Sequence, residues 1–344
     1  MPPHRAPLDG LRFLAFLAVF FFHARPDWAP WGWGGVRVFF ALSGFLITRI
    51  LIRGETGHLP ADLRRFYVRR TLRIFPLYYA IVAWIWLSGQ LTQDLWFLAY
   101  LPNVKAYLDS SFNPMLGHFW TLGVEEQFYI LFPPALLLTP PRARPALLLA
   151  LIAASAGFQA YAHLHMKMPW AKWLLPYCGE DLAWGALAGL IELRSRPRRY
   201  LGTACALLGA GLLYLGWMLN ERRAAPMAPW LQDDLSPTCY GIGGAALVFG
   251  LWRTTNPLLA WPLSFGPIAY LGRISYGLYA FHIPVLHGGW TNNIPYAFFI
   301  PQPYRDLAWT AALAALSWRF FERPINRLKD RFAPPAGVDL ASGR

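Results

Sequence analysis

The chain is poor in charge, poor in cysteine, and empty of the compact motifs that announce a soluble enzyme. Only 14% of its 344 residues are charged, where soluble domains carry roughly 25%. That excludes an ordinary water-soluble catalytic domain. The cysteines Cys178, Cys205 and Cys239 are odd in number and match no metal spacing, so no disulfide framework follows from them. No Walker pattern, no dinucleotide fingerprint and no metal-spaced histidine pair occurs. His163 and His165 stand two apart in a loop, which suits no metal site, and no metal is expected. Internal repeats are absent, as is any second domain, so the chemistry has to happen inside the apolar body.

What is present is hydrophobic length. Apolar residues make up 56% of the chain, in runs near the ~20 residues that cross a bilayer. Ten runs can be placed, at roughly 8–25, 33–52, 73–89, 118–138, 145–162, 173–192, 200–219, 236–252, 268–289 and 305–321. The expected fold is all-α: a polytopic integral membrane bundle of about ten transmembrane helices. It forms one domain over 1–333 with a flexible tail over 334–344, and the lipid bilayer is its constant partner. The net charge of +13 could suggest nucleic acid. Arginines gathered in alternate short loops, such as Arg53, Arg64, Arg65, Arg142, Arg194 and Arg253, fit the positive-inside rule better. No nucleic-acid partner is expected. Both termini are then cytoplasmic, in a multi-pass inner or plasma membrane, and a bacterial source is expected.

The first run carries Asp9, Arg12 and His23 among apolar residues. An ionisable group inside a span is costly and marks a candidate functional site. On a helix Arg12 and His23 lie about 16 Å apart and project within about 20° of each other. A neutral imidazole in an apolar site can take a hydroxyl proton or carry an acyl group as a nucleophile. A lone histidine at the end of a span is more often a cap. Here Arg12 on the same face shifts the balance.

Three further stretches add to it. In Arg69-Arg70-Thr71-Leu72-Arg73-Ile74-Phe75-Pro76-Leu77-Tyr78, Arg69 or Arg70 shares a helical face with Arg73. Guanidinium forks at that spacing suit phosphate oxygens, although topology alone accounts for part of the run. Gly117-His118-Phe119-Trp120-Thr121-Leu122-Gly123-Val124-Glu125-Glu126-Gln127-Phe128-Tyr129 sets Glu125, Glu126 and Gln127 inside a span, where they need partners or protons. Trp120 is a possible supporting residue beside them. Ser275 to Pro284 places His282 within a span that Pro284 should kink. Gly32, Gly34, Gly35 and Ser43-Gly44 read as places of close helix approach.

These pieces resemble the membrane acyltransferase 3 family of polytopic, acyl-CoA-dependent O-acyltransferases. The matching segments occur in the family's order: Arg12 followed by His23, G-G-V-R-V-F-F-A-L-S-G-F-L-I, R-R-T-L-R-I-F-P-L-Y, H-F-W-T-L-G-V-E-E-Q-F-Y, I-S-Y-G-L-Y-A-F-H-I-P and F-E-R-P. Gly123 stands where a serine is common. The resemblance implies transfer of an acyl group, usually acetyl, from acyl-CoA to a hydroxyl. Acyl-CoA is then a co-substrate, with no cofactor bound permanently. The acceptor is a carbohydrate of the cell surface, a macrolide or a lipo-oligosaccharide. It also implies that His23 is the acyl-transfer histidine with Arg12 as its partner, that Arg69, Arg70 and Arg73 hold the donor, and that Glu125 rather than Glu126 orients the imidazole. Some relatives carry an extracytoplasmic esterase-like domain. This chain ends soon after the tenth run, so a stand-alone member is expected. The alternative class is a proton-coupled transporter using the same buried His and Glu residues, although no symmetry between halves is visible.

Overall fold

A computed structural model describes residues 5–91, 95–166, 169–196, 198, 200–221, 229–289, 300–328 and 331. The segment 334–344, expected as a tail, lies outside them. All regular structure among the described residues is helical. In chain order the elements begin with α1 (Ala6–Ala24), α2 (Gly34–Gly54) and α3 (Leu59–Leu87). The short α4 (Leu95–Leu98) and α5 (Pro102–Asp109) come next, and then α6 (Trp120–Leu138), α7 (Arg144–His165), α8 (Leu175–Arg194), α9 (Leu201–Asn220) and α10 (Pro229–Arg253). The chain closes with α11 (Pro257–Ser264), α12 (Gly266–Arg273), α13 (Ser275–His287), α14 (Tyr304–Ser317) and α15 (Arg323–Arg327).

Five of these helices are long and apolar enough to cross a membrane: α1, α2, α7, α9 and the 235–253 part of α10. The other expected runs are helical too, but shorter, interrupted or more polar. Thus α8 carries Glu180, Asp181 and Glu192 in its buried face, and α6 carries Glu125 and Glu126.

Two boundaries differ from the sequence reading. The polar, arginine-rich stretch before residue 73 is not a loop but the first half of α3, which runs for 29 residues. Pro60 stands at its start, and Asp62 in its first turn accepts hydrogen bonds from the Thr56 amide and hydroxyl at 2.9 and 2.8 Å. Proline and an acidic residue both favour a helix N-terminus. The arginines that follow are good helix formers, so nothing halts propagation. At ~1.5 Å per residue α3 is about 44 Å long, more than the ~30 Å hydrocarbon core. The second difference is the run 268–289, which is two helices, α12 and α13, broken at Ile274. The close crossing of α12 over α1 accompanies the break: a Cβ on Gly272 would lie 1.8 Å from the Asp9 carbonyl oxygen.

Packing places α2 at the centre. It lies so close to α8 that a Cβ at Gly44 would meet the Leu182 carbonyl oxygen at 1.9 Å, which is the close approach expected of Ser43-Gly44. With α8 behind it, the opposite face of α2 is left for α1, α3, α6 and α13. Their inward residues, including Phe16, Phe40, Tyr78, Leu122 and Leu278, form the main core.

Candidate active site

A cavity with about 930 Å³ of empty space, open solvent included, lies among α1, α2, α3, α6 and α13. Its walls are largely apolar, with Val36, Phe39, Leu46, Ile47, Ile50 and Leu122. Into it project Arg12 from α1 and Arg70 and Arg73 from α3. Arg12 is held by Asp9 one turn back, at 3.1 Å. Arg70 and Arg73 have no carboxylate within salt-bridge distance among the described residues. The Arg70 guanidinium lies 3.8 Å over the Tyr129 ring, and its buried Nε has no hydrogen-bond partner. The expected third cation, Arg69, is not among the residues lining the cavity. It is adjacent to Arg70 but turned by about 100° on the helix.

Glu125 lines the same cavity. The Ser43 hydroxyl donates to its Oε1 at 2.5 Å, and Tyr129 donates to Ser43 at 3.0 Å. Gly44 faces α8, so its neighbour Ser43 is turned towards the cavity. Glu125 has no hydrogen bond to any histidine among the described residues. This corrects its expected place beside the His23 imidazole. Two helical turns, about 10 Å at ~1.5 Å per residue, separate it from His118, the α6-side residue that reaches the histidines.

The inner end of the cavity is formed by Thr121 and Tyr279. Thr121 Oγ1 donates to the Tyr279 hydroxyl at 2.8 Å, and Tyr279 donates to the His118 carbonyl at 3.0 Å. Beyond this pair stand three imidazoles. The rings of His282 and His23 are 5.2 Å apart, and those of His282 and His118 are 4.8 Å apart. Carbonyl oxygens only accept, so the network assigns the protons. His282 Nδ1 donates to the Tyr279 carbonyl at 2.6 Å. His23 Nδ1 donates to the Val19 carbonyl at 3.0 Å and lies 3.3 Å from His282 Nε2, which is left as an acceptor. His23 Nε2 then carries a lone pair. His118 Nε2 donates to the Ala280 carbonyl at 3.3 Å, while its buried Nδ1 has no partner.

Arg12 and His23 share the inward side of α1, as their spacing predicts, but they are not partners. One is in the arginine cavity and the other is among the histidines. Gln127 sits elsewhere, donating to the Asn103 side chain at 2.8 Å and the Tyr100 carbonyl at 3.3 Å, so it fastens α6 to α5. Trp120 packs on Trp173 and Phe40, with centroids 4.6 and 6.0 Å apart. Glu126 is buried but does not line the cavity. Among the described residues no group of three or more His, Cys, Asp and Glu is arranged to hold a metal ion.

A family model described as an acyltransferase domain matches residues 5–319. The chain belongs to the acyltransferase 3 family. Similar curated proteins include OatA, a peptidoglycan O-acetyltransferase of Listeria monocytogenes, 28% identical over 354 residues, which cover 93% of this chain and 55% of OatA. YrhL of Bacillus subtilis, a candidate peptidoglycan O-acetyltransferase, is 27% identical over 364 residues, covering 93% of this chain and 54% of YrhL. A candidate O-acetyltransferase of Staphylococcus aureus is 26% identical over 378 residues, covering 93% and 57%. The chain spans about half the length of the curated relatives it matches. No solved structure matches it.

In this acyltransferase 3 domain the sequence reading takes Ser43 only as a place of close helix approach, and does not place Thr121, Tyr279 or His118 at the site. A signal for them exists. His118, Thr121, Glu125 and Tyr129 follow one another by three or four residues, as do Ser275, Tyr279 and His282, so each set lines one helical face. The polar face is therefore readable. Which helices turn such faces towards each other is not.

Proposed function

We propose that this acyltransferase 3 chain is a bacterial plasma-membrane O-acetyltransferase, with ten spans and cytoplasmic termini, that moves acetyl from acyl-CoA to a hydroxyl of a carbohydrate acceptor. The acceptor named for OatA, peptidoglycan, makes a cell-surface polysaccharide the favoured class over a macrolide. The observation that carries this reading is a pair of arginines without carboxylate partners in a long apolar cavity, ending at two hydroxyls that border three histidines. CoA has the matching form: a polyanionic head and a thin, mostly uncharged arm. Its phosphates would lie on Arg70 and Arg73, with Arg12 further in, and the arm along Val36, Phe39 and Ile47. The thioester would then approach the histidines past Thr121 and Tyr279.

His23 supplies the base. Its Nε2 lone pair takes the acceptor hydroxyl proton as the oxygen bonds to the acyl carbon. The C–S bond breaks, and the same proton leaves with the CoA sulfur. While His23 is charged, its Nδ1–H stays on the Val19 carbonyl, and the His282 Nε2 lone pair 3.3 Å away stabilises the imidazolium without becoming charged itself. His282 is thus a positioning residue. Glu125, held by Ser43 on the donor side, offsets the cavity's positive charge and does not serve the imidazole.

Mass spectrometry on the purified protein with isotopically labelled acetyl-CoA, wild type beside His23→Ala, tests the assignment. His23-dependent release of CoA in the presence of cell-wall saccharide is expected. Full turnover by a folded His23→Ala variant would overturn the assignment. A labelled adduct on His23 would replace the general base by an acyl-histidine.

A further inference from the structure

A second cavity, with about 610 Å³ of empty space, open solvent included, lies between α5 and the loop that leads into α6. It shares no lining residue with the arginine cavity. Its chemistry differs as well. One wall is apolar, with Phe112 over the buried Leu116 and Phe97. The other carries Lys105, Asp109, Ser111 and Asn113. No unpaired cation cluster is present, because Lys105 and Asp109 form an ion pair.

The walls are firmly held. Asn113 Oδ1 accepts from the amides of Met115 and Leu116, each at 2.9 Å, and His287 Nδ1 donates to the Pro114 carbonyl at 3.0 Å. Phe112 is braced by Trp170 and Trp173, with centroids 5.2 and 5.5 Å away. The cavity also abuts the histidines. Gly117 lines it and is followed in the chain by His118, whose ring lies 4.8 Å from that of His282. Thr121 and Tyr279, which line the arginine cavity, approach the cluster from one side, and Gly117, which lines the second cavity, adjoins His118 in the chain.

We propose that this second cavity is the acceptor subsite and takes a pyranose ring of a saccharide chain. The inference rests on the acyl-transfer reading and adds the place and chemistry of the acceptor. A pyranose has a C–H face and a rim of hydroxyls. Phe112 offers the flat apolar surface for the face. The Asp109 carboxylate and Lys105 ammonium, with Ser111 beside them, give charge-assisted acceptors and donors for the rim. A polyanion such as CoA gains nothing here, because the one cation is already paired with Asp109. The two cavities thereby sort the two substrates by charge.

The test uses the full-length protein in detergent, with chitotetraose as the probe. Binding of chitotetraose and of CoA is measured by calorimetry for wild type, Asp109→Asn, Lys105→Gln and Phe112→Leu, together with acyl transfer to the saccharide. At least tenfold weaker saccharide binding is expected for Asp109→Asn and Phe112→Leu. The acceptor KM should rise by a similar factor, with kcat and CoA binding unchanged. Unchanged CoA binding also shows that the variants fold. If wild type binds no chitotetraose, or if the variants bind and acylate it as wild type does, the subsite assignment fails. Wild type that binds both probes yet transfers no acyl group defeats the acyl-transfer reading instead and leaves the saccharide site standing.

Discussion

The molecule holds arginines inside its helix bundle in two contrasting ways. On the side formed by α2, α8 and α10, each buried arginine is matched. Arg37 bonds Asp181 at 2.5 Å and is ringed by Trp33, Tyr177 and Tyr240. Arg49, only 1% exposed, pairs with Glu192. Glu192 also accepts from Trp252 and Arg253, each at 3.1 Å. On the side formed by α1, α3, α6 and α13, Arg70 and Arg73 face an open cavity with no such partner among the described residues. Taking a charge out of water is costly unless it is paired. Ion-paired arginines therefore belong to the architecture, whereas cations left open to a cavity are available to a bound anion. The same residue type thus has two uses, and the difference is carried by the partners.

The contrast can be broken from either side. The largest effect is expected from His23→Ala, which removes the proposed base. General acid–base groups contribute about 10²–10⁴-fold, so acyl transfer should fall by that order while CoA still binds, as read by calorimetry beside a turnover assay. Next is Asp181→Ala. Stranding Arg37 in the interior should cost about 3–5 kcal/mol, seen as a lower Tm in detergent, and CoA affinity measured below that temperature should persist. Arg73→Ala should do the reverse. CoA affinity should fall roughly 10- to 100-fold, in line with the loss of a charged hydrogen bond, and Tm should hardly move. If Arg73→Ala lowered Tm as much as Asp181→Ala, the distinction between the two sides would collapse.

A smaller effect is expected from His282→Gln. Glutamine can still set an uncharged acceptor beside His23 Nδ1, so kcat should fall about tenfold, well short of the ~10²–10⁴-fold of a lost acid–base group. The CoA KM should not change. A kcat loss as deep as that of His23→Ala would make His282 a proton carrier and not a positioning group. The smallest effect concerns salt. Raising ionic strength shortens the Debye length from ~10 Å at 0.1 M to ~3 Å at 1 M. CoA binding at the open arginines should weaken a few-fold, while the Tm set by the buried pairs stays nearly constant.

Much of the site was legible because membrane helices make polar residues conspicuous. Arg12, His23, Arg70, Arg73, Glu125 and His282 all stand out against apolar neighbours, and a helix fixes which of them share a face. Legibility ended where two helices meet. Arg12 and His23 share an aspect of α1, yet Thr121 and Tyr279 from α6 and α13 mark the boundary between them. Glu125 reads as a partner for the imidazole until Ser43 of α2 is seen to hold it. The pairing of Arg37 with Asp181 joins positions 144 residues apart, a separation at which no periodicity carries information. The break at Ile274 was hidden for a related reason, since Arg273 reads as a single charge within the apolar run 268–289, and the approach of α12 to α1 at Gly272 accompanies the break only in three dimensions.

The sequence by itself determined the apolar class of the chain, most of its helical elements, its family and the polar faces of α6 and α13. These are local properties, set by hydropathy, by the 3.6-residue period and by caps within a turn or two. Tertiary structure decided which faces meet. It thereby decided which arginines are neutralised and which stay open, which nitrogen of His23 keeps its lone pair, and that two cavities of different chemistry share no lining residue. Those outcomes depend on distances of a few ångströms between segments far apart in the chain, and packing alone sets them.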